Sequence, residues 1–142
     1  MAGVYFAFSA FIMRAFNQLG PVKATDAMNA INEVILHSWF MLLFFGSTLV
    51  YFVLLVAAIV NDDMTGRWWL LSAGLIYVFG MFILTAVFNV PLNNRLAKVQ
   101  DYDAMKPELW AVYFKNWTRW NHVRGVCSLI AMMLSMYSLV LS

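Results

Sequence analysis

Charge is what this chain of 142 residues has least of. Only 11% of its side chains are Asp, Glu, Lys or Arg, about half of what a soluble domain carries. With 63% hydrophobic residues and a mean hydropathy of +0.75, too little polar surface is left to cover a domain of this size in water. A water-soluble globule is therefore excluded, and the chain reads as an integral membrane protein. Cysteine is nearly absent as well. Cys127 stands alone and forms no internal disulfide, so the redox compartment is not encoded. Two histidines and one cysteine, with no CxxC and no HExxH, are too few for a transition-metal cage. A bis-histidine haem on His37 and His122, which fall on one side, has nothing else to support it. The glycines form no phosphate-cradling loop. No Lys/Arg-rich run points to nucleic acid, and the net charge of +2 suits loops facing an anionic membrane surface. There is no internal repeat and no low-complexity segment.

What the sequence does have is long apolar runs. Val34 to Val60, Trp68 to Phe88 and Gly125 to Ser142 carry no charge. Each is near the roughly 20 residues that cross a bilayer as helix. A fourth run, "MAGVYFAFSAFIM", is short and is stopped by Arg14. It lacks the basic start and small-residue cleavage site of a signal peptide, and we read it as part of an incomplete first transmembrane helix. The expectation is an all-α fold: a four-helix transmembrane bundle in one integral membrane domain over residues 1–142, with spans at about 2–19, 34–60, 68–88 and 122–142. A long amphipathic helical connection joins the third span to the fourth.

Topology follows from the basic residues. The connections at 14–33 and 89–124 share one side and hold all of them except Arg67. The positive-inside rule makes that side cytoplasmic and puts both termini outside, in the plasma (inner) membrane. Local signals fill in the rest. Gly20 and Pro21 stop the first helix, Thr25 or Asp26 caps a short one through "AMNAINEV", and "NDDMTGR" makes a tight outer turn. Asp103 caps a turn and Pro107 opens a helix. From there Trp110, Phe114, Trp117, Asn121 and Arg124 recur at helical spacing and share a face.

The polar residues gather at one depth. Asn32 and His37 stand at the cytoplasmic start of the second span, and Asn89, Asn93 and Asn94 at the end of the third. Asn121, His122 and Arg124 begin the fourth, and Arg14 ends the first. Polar groups near hydrocarbon pair with one another or line a cavity, so a pocket open to the cytoplasmic side is the sharper reading. The plainer readings stand beside it. Trp110, Trp117 and Trp120 serve as interfacial anchors, and Lys115, Arg119 and Arg124 as headgroup contacts. Asn89 and Asn93 satisfy carbonyls freed by Pro91, and His37 makes an interhelical hydrogen bond. His122 has the right chemistry for proton transfer near neutral pH. On a regular helix, however, it lies about 140° round from Trp117, beside Lys115 and Arg119.

"AGVYFAFSAFIMRAF", "AMNAIN", "WFMLLFFG", "FNVPLNNRLA" and "WTRWNHVR", in this order, resemble the anthrone oxygenase-like (DUF1772) membrane proteins over nearly the whole chain. "FNVPLNN" and W-x-x-W-N-H-x-R are the most specific parts. Arg14 departs from the proline often found at that point. The resemblance implies a four-helix membrane bundle and, for named fungal members, oxidation of an anthrone to an anthraquinone by O₂ with no recognised cofactor and no metal. The implied positions are Asn89, Asn93, Asn94, Trp117, Trp120, Asn121, His122 and Arg124, with Asn32 a weaker one. In that chemistry His122 removes a proton from the weak carbon acid. Arg124, with Asn93 or Asn121, stabilises the oxyanion. Trp117 and Trp120 stack on the rings, with Asn89, Asn94 and Asn32 completing the substrate site.

Two other classes compete with the oxygenase. One is a non-catalytic membrane binding or assembly protein in which the polar cluster is interhelical glue. The other is a small transporter, disfavoured because no charge lies at the midplane. The expected partners are the lipid bilayer, an aromatic small molecule and O₂. Ala57, Ala58, Gly74 and Gly80 permit close helix contacts, which suits a homo-oligomer.

Overall fold

In hydrocarbon every backbone polar group must be satisfied within the chain, and the segments able to span it among the described residues are all helices. A computed structural model describes residues 1–98 and 107–141, and those residues form five helices and no strand. Helix α1 runs through Ala2–Ala7, a π-helical turn at Phe8–Ile12 and Met13–Gln18. Helix α2 is Pro21–Leu36, α3 is Trp39–Val60, α4 is Arg67–Ala97 and α5 is Pro107–Leu141. Three of them, α3, α4 and α5, are long and apolar enough to cross a membrane. At most 22% of the most apolar stretch of each is buried, so their outer faces are left for lipid. These are the three long apolar runs, and the first span, expected to be incomplete, is the shorter α1, packed on α5.

The helices pack in the order α3, α4, α5, α1, and α2 touches all four at one end. Several element boundaries differ from the sequence reading, each for a local reason. The apolar run from Val34 to Val60 is not one helix. It breaks at His37 and Ser38, where Ser38 Oγ accepts from the Phe40 N–H at 3.3 Å and donates to the Ile35 carbonyl at 2.8 Å. Ser38 therefore caps α3 while finishing α2. Helix α2 begins four residues before the expected cap. Gly20 takes a φ of +84°, Pro21 fills the first helical position, and Thr25 is buried mid-helix. The amphipathic connection and the last span are a single helix, α5, opened by Pro107 with Glu108 in its first turn. Asp103 lies outside the described residues. Helix α4 carries π-helical turns at Val78–Ile83 and Thr85–Asn89. In the second of these the Val90 N–H reaches back to the Thr85 carbonyl. It stands directly before Pro91, whose missing N–H and crowded ring disturb the preceding turn.

Small residues set the helix spacing inside the chain. A Cβ on Gly74 would stand 2.7 Å from Leu55 Cβ, and one on Gly80 would stand 2.5 Å from Cys127 Sγ. These glycines seat α3 and α5 against α4. Tyr77 reinforces the first contact by stacking on Tyr51 at 4.0 Å and donating to Ser47 Oγ at 2.7 Å. Gly80→Ala is expected to lower the thermal midpoint of the detergent-purified protein, by about 1–3 kcal/mol of overpacking. Gly46→Ala, with nothing within 4 Å of the new methyl, should melt at or above wild type. Equal midpoints for the two variants would remove the close-packing role of Gly80.

Candidate functional site

All five helices contribute to one cavity of about 400 Å³, within the range that holds drug-sized ligands. Its walls are largely aromatic and aliphatic. Phe8 comes from α1, Phe40 and Phe44 from α3, Phe82 from α4 and Trp117 from α5. The π-helical turns lie on it, since Phe8, Phe82, Thr85 and Asn89 belong to them and all face the space. Such turns often mark functional sites because the extra residue re-aims side chains.

Arg124 is the centre of the polar part. It is 5% exposed, and its Nη1 donates to Thr85 Oγ1 at 3.2 Å and its Nη2 to Asn121 Oδ1 at 2.8 Å. The guanidinium carbon lies 4.6 Å from the centre of the Tyr5 ring and 5.4 Å from that of Trp117. All these partners are neutral, and no described residue lining the cavity is Asp, Glu or His. A buried cation without a counter-ion is costly, although ring faces offset part of that cost. Its Nε is also without a hydrogen-bond partner, as is the buried Tyr5 hydroxyl. The arrangement is a positive site short of one anion.

Asn121 joins α1 to α5. Its Nδ2 donates to the Tyr5 carbonyl and to Ser9 Oγ, both at 2.7 Å, while its Oδ1 holds Arg124. Asn89 Nδ2 donates across helices to the Trp117 carbonyl at 3.4 Å and not to a carbonyl freed by Pro91. Asn93 likewise bonds outside its own helix, to Asn32 and Tyr113. Asn94 lines the cavity edge. The cavity thus gathers Asn32, Asn89, Asn93, Asn94, Trp117, Asn121 and Arg124 from the sequence-derived set.

Two members of that set stand elsewhere. His122 is exposed and lies in an outer groove between α1 and α5 with Gly3, Phe6 and Val126. The cause is the helical turn itself: α5 is unbroken α-helix through the membrane entry, so the residue following Asn121 points away. Trp120 is not among the lining residues. Its ring stacks on Phe88 at 3.9 Å and lies under Arg119 on the flank of the bundle. The anchor reading changes for Trp110 and Trp117, which are 2% and 5% exposed; Trp110 Nε1 donates to Asn17 Oδ1 at 2.9 Å. His37 is exposed in the break between α2 and α3, without an interhelical bond among the described residues. Tyr5, Ser9 and Thr85 were missed from the sequence. Their one signal was a polar atom isolated within an apolar run.

Residues 36–134, more than half of the chain, match the family model described as anthrone oxygenase. The chain belongs to the anthrone oxygenase family. No curated protein and no solved structure matches it. The span that matches the anthrone oxygenase family carries Thr85, Asn89, Asn93, Trp117, Asn121 and Arg124, whereas Tyr5, Ser9 and Asn32 precede it.

Proposed function

We propose that this membrane protein is a cofactor-independent oxygenase of anthrone-like or phenolic aromatic substrates. The carrying observation is the buried Arg124, which has only neutral partners at the wall of an aromatic cavity. A flat aromatic whose oxygen can ionise supplies the missing anion. The guanidinium, with the Tyr5 hydroxyl as a second donor, favours the enolate or phenolate over the neutral form. With no carboxylate or imidazole among the described lining residues, the proton passes to water or hydroxide at the cavity mouth. Trp117, Phe8 and the phenylalanines of α3 and α4 hold the rings and exclude water.

The reaction balances without a further reductant. The enolate carbon forms a bond to O₂, giving a peroxide at the former methylene. Loss of water from that peroxide leaves a carbonyl. One oxygen atom ends in the quinone and the other in water, with both hydrogens of the methylene. The carbon loses four electrons and O₂ gains them. The basic connections turn the α2 end of the cavity toward the cytoplasm, in the plasma (inner) membrane, with the termini outside.

The test is anthrone-to-anthraquinone conversion in air by detergent-purified protein, against detergent alone because anthrones autoxidise. Conversion clearly above the detergent rate is expected. Equal rates would reject anthrone oxidation and leave the cavity to a non-catalytic binding role.

A further inference from the structure

A second polar group lines the same cavity at the end lined by α2. The Tyr113 hydroxyl donates to Asn93 Oδ1 at 2.9 Å, and Asn93 Nδ2 donates to Asn32 Oδ1 at 3.0 Å. With Tyr113 donating, both amide oxygens of the relay are taken. That leaves Asn32 Nδ2 buried beside the Tyr113 hydroxyl but with no acceptor in hydrogen-bond geometry. Buried amide donors nearly always find partners, and Asn32 faces the cavity together with Asn93. Its missing partner is therefore sought in what fills that space. Along α4, Thr85 at the Arg124 end and Asn93 at this end are eight residues apart, about 12 Å at the helical rise. The walls between them are aromatic, with Asn89 midway. The cavity thus has a cation at one end, a free neutral donor at the other and flat apolar sides.

We propose that Asn32 is a specificity-determining residue that donates to a second oxygen of the ligand, so that the cavity selects flat fused-ring anions carrying an acceptor oxygen at the end opposite the charge. This rests on the reading of Arg124 as an oxyanion site. It does not depend on the oxygenation step. Asn32 precedes the span that matches the family, so this selectivity belongs to the part of the chain that the match does not cover.

Equilibrium binding of fluorescent naphthoates to the detergent-purified full chain tests it. The probes are 2-naphthoate, 6-methyl-2-naphthoate and 6-methoxy-2-naphthoate, which share the anion and differ in the far-end oxygen. Wild type should bind the methoxy compound about fivefold or more tighter than the methyl compound, the effect of one net hydrogen bond. Asn32→Leu should erase that preference while still binding 2-naphthoate, which also reports that the site is folded. Arg124→Gln should weaken all three together. No methoxy preference in wild type, its survival in Asn32→Leu, or no binding of any naphthoate would overturn the proposal. The methyl-against-methoxy comparison in wild type stands even if the Leu variant does not fold. None of the probes has an oxidisable anthrone methylene. Intact selectivity without anthrone oxidation would therefore reject the reaction and keep Asn32's role, and oxidation without selectivity would do the reverse.

Discussion

Arg124→Gln should lower anthrone oxidation by about 100- to 1,000-fold, while His122→Ala leaves the rate unchanged. The contrast follows from geometry. Arg124 is buried on the cavity between Thr85, Asn121 and two ring faces. His122 is exposed on the far side of the same helix. Glutamine keeps a polar side chain but removes the charge that holds the substrate as an anion. The sign of the pH effect follows. A cation beside the bound oxygen lowers the apparent pKa of the substrate, and its removal returns that pKa toward the value in water. The pH–rate profile of Arg124→Gln should move to higher pH, with part of the lost rate recovered in alkaline buffer. Arg124→Lys keeps the charge, but an ammonium cannot hold Thr85 and Asn121 in the same fork. It should restore the pH profile more than the rate. Steady-state rates of the three variants against pH check this. A His122→Ala protein that is folded and inactive would return the base to that histidine and overturn the placement.

The sequence was most informative where a single helical period carries the meaning. Trp117, Asn121 and Arg124 share one face of α5, and all three line the cavity. The same arithmetic set His122 about 140° away, and it is on the outer surface. The family motif pulled His122 and Trp120 into the site because a motif records neighbours in sequence and not direction. The break at His37 and Ser38 was hidden inside a continuous apolar run, where hydropathy alone cannot separate a capping serine from a buried one. The place of α2 across one end was not legible either, since it depends on contacts with four helices at once. Tyr5 and Thr85 escaped because their role is relational: each matters through the guanidinium of a residue far along the chain.

Asn121→Leu should loosen α1 from the bundle and abolish oxygenation together. The two side chains have the same number of heavy atoms, so the change removes hydrogen bonds without opening a cavity. Asn121 is fully buried, and three groups depend on it: the Tyr5 carbonyl, Ser9 Oγ and Arg124 Nη2. Leucine would leave Ser9 Oγ and Arg124 Nη2 without that partner in a dry environment, at about 1–3 kcal/mol for each and more for the charged one, while the Tyr5 carbonyl keeps the Phe8 N–H. The sum is a large share of the stability of an ordinary domain. Its consequences fall on one junction, because the first two groups belong to α1 and the third to the oxyanion site. Tyr5 also packs its ring on Arg124, so movement of α1 would unseat the guanidinium even where α5 stays folded. The expected result is a lower thermal midpoint in detergent and early proteolytic cleavage within α1, while α3 and α4 stay protected through their own contact at Gly74 and Tyr77. Asn121→Asp separates the two roles. It keeps an acceptor for Arg124, gives the cation a permanent counter-ion and removes both donors to α1. That variant should still lose α1 docking and should also lose the attraction for an anionic ligand. A wild-type melting curve and an uncleaved α1 in Asn121→Leu would show that the junction is held by apolar packing alone.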